Sequence, residues 1–183
     1  IKANKIIITG GAVVTRGNAT KDIQNIPVWI TEWLKDVFVK NNNKENENKV
    51  YIDRDDEKKT ITPQRLISNN LEVKKYLMAK NFKSTKLHKI SFKEQIELFS
   101  NANCIVGLHG SGFANIAFCK PGTKVIELRS ATAGNVIKNL AKKNNLDYAS
   151  IDVTAKEIYK FNFPNQQGSI HVPLNKLEEI LKN

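Results

Sequence analysis

The stretch over residues 103–128, NCIVGLHGSGFANIAFCKPGTKVIEL, constrains the fold of this chain more than any other. Cys104-Ile105-Val106 is a short apolar run, too short for a helix and closed by a glycine, so it reads as a buried strand. Gly107, His109, Gly110, Ser111 and Gly112 follow, and then the helix-compatible run 113–118. Pro121-Gly122-Thr123 marks a turn, and residues 124–128, KVIEL, read as a second buried strand. Strand, glycine turn, helix, turn and strand make a βαβ unit. Its turn gathers backbone N–H groups and the positive end of a helix at one point, which is where an anion binds. Glycine leaves room there for a phosphate to approach the backbone. A tight turn that binds nothing would need the same glycines. His109 and Asn115, polar and on the rim of the turn, favour a site.

At 183 residues the chain fits one α/β domain with a full core. It opens on Ile1 rather than Met, and is expected to be a piece of a longer protein. No signal peptide and no bilayer-spanning apolar run is read in it, so a cytoplasmic location is expected, possible contact with a membrane face included. The secretory-pathway lumen stays open. Cys104 and Cys119 flank the glycine turn and its helix without a Cys/His cluster, so both are expected as buried thiols, and no metal is expected. The formal net charge of +11 favours an anionic partner: nucleic acid, a phosphorylated small molecule or an acidic membrane surface. The lysines are scattered, with no basic stripe interleaved with aromatics, and nucleic acid is not the expected partner.

Residues 5–9, KIIIT, read as a strand ended by Gly10-Gly11, and the polar segment up to Ile26 as a loop able to line a cleft. Pro27 opens a helix with Ile30, Trp33, Leu34, Val37 and Phe38 on one face, and Trp29 and Trp33 are expected in core or interdomain packing. Residues 41–48, NNNKENEN, form a solvated link to the strand Val50-Tyr51-Ile52, after which the charged loop 53–59 follows. A helix is expected over 66–79 and a short strand over 82–87. Ser91-Phe92-Lys93-Glu94 spells a capping box for a helix whose apolar side is Phe92, Ile96, Leu98 and Phe99. Beyond the central stretch come a loop over 129–133, a helix over 135–144, a strand over 148–153 and a helix over 173–181. Strands alternating with helices imply an α/β fold: a Rossmann-like, mainly parallel sheet with helices on both faces. Ligands of such sheets sit at the carboxyl ends of the strands. Thr9-Gly10, Asp53-Arg54, Gly107 to His109 and Glu127 to Arg129 all lie at such ends and can converge.

Several motifs occur here in one order. They are Tyr51-Ile52-Asp53-Arg54, Arg65-Leu66-Ile67-Ser68-Asn69, Ser91-Phe92 through Gln95 and Phe99, Gly107-Leu108-His109-Gly110-Ser111-Gly112-Phe113-Ala114-Asn115, and Pro121-Gly122-Thr123-Lys124-Val125-Ile126-Glu127-Leu128. Together they resemble glycosyltransferase family 61, whose pattern is Tyr-Ile-Ser-Arg, an Arg followed by Asn-Glu, His-Gly-Ala-Gly-Leu-x-Asn and Pro-Gly-Thr-x-Val-x-Glu. The resemblance runs from about Val50 to Leu128. It implies two facing Rossmann-like halves, a GT-B arrangement, with residues 1–183 similar to the C-terminal, nucleotide-sugar-binding half. It also implies metal-independent, cofactor-free transfer with inversion from a nucleotide-sugar donor to a glycan or polysaccharide acceptor, as in capsule assembly. Asp53 stands where the family has Ser, Asn70 where it has Glu, and Ser111 where it has Ala. Beside a pyrophosphate Asp53 would repel, or it orients Arg54 through a salt bridge.

The resemblance places Arg54 and Arg65 over the diphosphate, where a guanidinium matches phosphate oxygens and neutralises leaving-group charge. Read alone, both arginines fit surface salt bridges with Asp55, Asp56 or Glu57 at least as well. Gly110, Ser111 and Gly112 would donate N–H groups to the same diphosphate, and Asn115 would cap the turn or touch the donor. Glu127 would accept from ribose hydroxyls or be an ordinary strand-end carboxylate. His109 is the candidate catalytic residue, with three roles open: donor to a phosphate or sugar hydroxyl, base toward the acceptor, or packed histidine. His88 and His171 read as structural. Two rival functions remain, a nucleotide-sugar-binding module without turnover and a basic nucleic-acid-binding domain, the latter marked by steep salt dependence.

Overall fold

The computed structural model describes residues 26–39, 48–54, 66–156 and 168–182. The expected strand over 5–9, the link before residue 48 and the loop from Asp55 through Arg65 lie outside the described residues.

In chain order the elements are α1 (Val28–Phe38), β1 (Asn48–Ile52), β2 (Leu66–Ile67), α2 (Asn70–Ala79), β3 (Phe82–Thr85), α3 (Phe92–Ser100) and β4 (Ala102–Leu108). A 3-10 helix (Ser111–Phe118), β5 (Lys124–Ser130), α4 (Val136–Lys143), β6 (Asp147–Val153), β7 (Ser169–Ile170) and α5 (Leu174–Lys182) follow. Five strands form one parallel sheet in the order β3-β1-β4-β5-β6, while β2 and β7 pair in parallel as a separate small sheet.

Successive residues of a strand point to opposite faces, and both faces of the central strands are apolar. Val50, Ile105 and Val125 join Ile96 and Phe99 of α3, Phe113 and Ile116 of the 3-10 helix, and Ile137 and Leu140 of α4 in one cluster. Tyr51, Val106, Ile126 and Leu128 join Val73 and Leu77 of α2 and Leu177 of α5 in the other. This is the expected Rossmann-like sheet with helices on both faces. Among the described residues no helix is long and apolar enough to cross a membrane.

Local signals behave as their chemistry dictates. Ser91 Oγ accepts from the Glu94 N–H, and Glu94 Oε2 accepts from the Ser91 N–H, completing the capping box of α3. Asn81 and Asn145, both with positive φ, end the turns after α2 and α4, a role asparagine shares with glycine. Gly122 carries φ 82° in the turn before β5, which disfavours any other residue there. Cys104 and Cys119 are buried free thiols, and burial pushes them up to about 11 and about 12, so neither is a ready nucleophile.

Three expectations need correction, and one is refined. The helix expected from residue 66 begins at Asn70, because Leu66 and Ile67 pair with Ser169 and Ile170 instead. The helix expected after the glycine turn is present and is of the 3-10 kind; its three-residue repeat aligns Phe113, Ile116 and Cys119, all buried. The loop expected at residue 129 starts after Ser130, since Arg129 and Ser130 continue β5 beside Asp152 and Val153. Helix α1 turns Thr31 and Leu34 inward, leaving Trp29 49%, Trp33 52% and Val37 55% exposed, so of the two placements expected for the tryptophans, core or interdomain, the core one is overturned.

Candidate active site

The glycine turn closes the carboxyl end of β4, where β1 and β5 flank it. A Cβ on Gly107 would stand 3.0 Å from Ile52 Cβ and 3.2 Å from the Phe113 ring, so bare backbone lets the 3-10 helix close on the sheet. A Cβ on Gly112 would meet Leu87 Cδ1 at 3.1 Å. These two glycines thus answer to packing, not to the open approach of a phosphate. Gly110 differs: a Cβ there would lie 3.4 Å from Arg54 Nη1. The His109 N–H still bonds Leu128 O across the ladder at 2.9 Å, and the first bond of the 3-10 helix runs from Phe113 N–H to Gly110 O at 3.1 Å. Between those two bonds lie Ser111 and Gly112, whose N–H groups head the helix.

Arg54, two residues beyond the end of β1, lines with this turn a cleft of about 440 Å³. Gly110, Ser111, Gly112 and Asn115 form one wall, and Gln95 and His88 close it. Asn115 Nδ2 donates to Gln95 Oε1 at 2.9 Å and to Gly112 O at 3.3 Å, so the side chain ties the turn to α3. On its other side Arg54 lines a second cavity of about 330 Å³ with Tyr51, Asn70, Lys74 and Lys86. There the Tyr51 hydroxyl donates to Asn70 Oδ1 at 2.6 Å, an acceptor role the family's Glu could also fill. Asp53 does not pair with Arg54. It is buried, and its Oδ2 accepts from Lys74 Nζ at 2.6 Å and Ser84 Oγ at 2.9 Å. Burial alone would raise the Asp53 carboxyl, but those two bonds and the charges of Lys74 and Lys86 outweigh it and hold the group below its ordinary value. The feared repulsion of a diphosphate is thereby cancelled by a lysine.

His109 and Glu127 sit one layer deeper. Glu127 is wholly buried and His109 is 9% exposed. His109 Nδ1 is hydrogen-bonded to Glu127 Oε1. The Tyr148 hydroxyl donates to Oε2 at 2.5 Å, and Arg129 Nη1 stands 3.7 Å from the same oxygen. Arg129 is itself fixed: Nε lies 2.9 Å from Asp152 Oδ1, and the guanidinium donates to the carbonyls of Ala133 and Gly134. Burial, with the Glu127 carboxylate beside it, pushes the Tyr148 hydroxyl up to about 12, so it remains a donor at all working pH.

The sequence-derived site is therefore only partly one cleft. Arg54, Gly110, Ser111, Gly112 and Asn115 share it. Glu127 does not reach the rim where a ribose could meet it; both its oxygens are engaged inside the protein. Arg65 lies outside the described residues. His88, read as structural, lines the cleft; Arg129 is expected only as one of the strand-end residues that can converge, and Tyr148 and Asp152 carry no site reading in the sequence. Strand alternation holds their signal. Glu127 and Arg129 share one face of β5, and the register sets Arg129 opposite Asp152, with Tyr148 on the same face of β6.

The sequence model of Glycosyltransferase 61 matches residues 13–126, well over half of the 183 residues. The chain belongs to this family. Among curated proteins none matches it significantly. A glycosyltransferase takes a sugar from a donor to an acceptor, and the α/β sheet with its helices is a Rossmann-like scaffold for that work. The family match takes in Arg54 and the whole glycine turn but stops at Ile126, one residue before Glu127.

Proposed function

We propose that this domain grips the diphosphate of a nucleotide-sugar donor between Arg54 and the N–H groups of Ser111 and Gly112. The sugar is transferred with inversion and without a metal to a glycan or polysaccharide acceptor, such as a capsule chain. Residues 1–183 constitute the donor-binding half of a GT-B enzyme, in this reading. The observation that carries it is that Arg54 and the glycine turn line one cleft at the carboxyl edge of a parallel sheet, with Arg54 Nη1 beside the turn, 3.4 Å from the Cβ position of Gly110. As the bond from the anomeric carbon to the diphosphate oxygen breaks, negative charge grows on the leaving group. Arg54 and the helix-head N–H groups are aimed at that charge. His109 is the candidate catalytic residue: its Nδ1 is hydrogen-bonded to Glu127 Oε1, a partner that orients the ring for acid–base work. The formal charge of +11 suits work against an acidic membrane face.

The test is calorimetric titration of the wild type and Arg54→Ala with UDP and GDP. A hydrogen bond to a charged group contributes roughly 1.5–3 kcal/mol, so the variant should bind roughly ten- to a hundredfold more weakly. Equal affinity would remove Arg54 from the site. No nucleotide binding by the wild type, beside tight salt-sensitive DNA binding, would favour the nucleic-acid reading.

A further inference from the structure

The buried carboxylate of Glu127 carries more partners than a packed strand residue needs. One oxygen meets His109 Nδ1, and the other accepts from the Tyr148 hydroxyl with the Arg129 guanidinium behind it. Tyr148 keeps its proton, so at Oε2 it can only donate. The Arg129 guanidinium beside Oε2 favours the ionised carboxylate, which accepts at both oxygens and so takes Nδ1 of His109 as its donor. Arg129 is anchored by the Ala133 and Gly134 carbonyls, which accept from its Nη groups, and Asp152 Oδ1 lies 2.9 Å from Nε as an ion pair without hydrogen-bond alignment. The chain therefore runs from the half-exposed Asp152, through Arg129 and Glu127, to the histidine at the head of the glycine turn.

We propose that Tyr148 and Arg129 are positioning residues, which act through Glu127 to hold His109 as the Nδ1–H tautomer. The catalytic meaning of that tautomer rests on the function proposed above; the tautomer itself does not. None of these three side chains reaches the donor cleft, so their removal acts on the histidine rather than on ligand contact.

The experiment is long-range ¹⁵N-¹H correlation of the imidazole rings in this chain, which has only His88, His109 and His171 to assign. In the wild type His109 should show the Nδ1–H pattern. Tyr148→Phe keeps the ring and deletes the hydroxyl, freeing Oε2 to swing onto Arg129, and His109 should move to a mixed or Nε2–H pattern while His88 and His171 stay put. Asp152→Asn should shift His109 the same way by less; Asp152 is 48% exposed on its side chain, so this variant keeps the fold should Tyr148→Phe lose it. A wild-type His109 in the Nε2–H form would overturn the proposal. So would an unmoved Nδ1–H pattern in both variants, or in Asp152→Asn alone if Tyr148→Phe does not fold. In the full-length enzyme, Tyr148→Phe should lower kcat roughly tenfold with KM unchanged. A moved tautomer without any nucleotide binding would leave the positioning intact and reject only the donor-site reading.

Discussion

Two ionic assemblies stand at the carboxyl edge of the same sheet, Asp53–Lys74 beside Arg54 and Glu127–Arg129 beneath His109, and they differ in how much of their charge is consumed. In the first, the Lys74 side chain is 32% exposed and neutralises Asp53, which leaves the neighbouring guanidinium of Arg54 facing a cleft. In the second, Glu127 is 0%, Arg129 7% and His109 11% exposed on their side chains, and the carboxylate is wholly taken up by internal partners. A charge meant for a ligand must be left unspent at the surface. A charge meant to fix a neighbour is best buried, where each bond is strong and each loss severe.

The sharpest way to break the comparison is Glu127→Ala. It leaves the Tyr148 hydroxyl and His109 Nδ1 without their acceptor and takes a carboxylate from beside the buried Arg129 guanidinium, a change worth roughly 3–5 kcal/mol. For a domain of this size that corresponds to a fall of roughly 6–20 °C in Tm by circular dichroism. A fall within experimental error would show that the inner assembly is no more costly to lose than a surface pair.

Asp53→Asn should cost less, about 1–3 kcal/mol at neutral pH by chemical denaturation, since Lys74 can still reach water. Its acid behaviour sharpens the contrast. The folded Asp53 value is depressed below the ordinary 3.8, so its contribution is fully present above that value and is lost as pH falls through the folded one. The wild type should therefore lose stability below about pH 4 more steeply than Asp53→Asn. Parallel acid limbs would contradict the Lys74 pairing.

Gly107→Ala probes the turn between the two assemblies. Its new methyl would meet Ile52 Cβ at 3.0 Å, and overpacking of this kind costs about 1–3 kcal/mol. The smallest effect belongs to Ser111→Ala, which restores the family's residue at an exposed position. Stability should change by less than about 0.5 kcal/mol, and nucleotide affinity should hold, because the backbone N–H rather than the hydroxyl is the proposed donor.

The fold was legible wherever local pattern and tertiary structure agree. Apolar runs bounded by glycine gave β4 and β5, and the capping box gave α3. Leu66 and Ile67 depart from the expected helix because their partners, Ser169 and Ile170, lie a hundred residues away, beyond any local signal. On α1, helical spacing alone cannot tell which apolar stripe meets the core, and Thr31 won the buried position over Trp33. The site followed the same rule. Arg54 and the glycine turn were visible as strand-end residues, whereas the role of Glu127 depends on the register of β5 against β6, which brings Tyr148 and Arg129 around it.

The claim that Arg54 and the glycine turn form a diphosphate site is tested most directly by amide chemical shifts during titration with UDP. Binding as proposed moves the N–H signals of Ser111 and Gly112 most, together with the Arg54 side chain, and Arg54→Ala abolishes those shifts at the same ligand concentration. Shifts confined to the groove beside β3, around Lys83 and Lys89, with Ser111 and Gly112 unmoved, would contradict it.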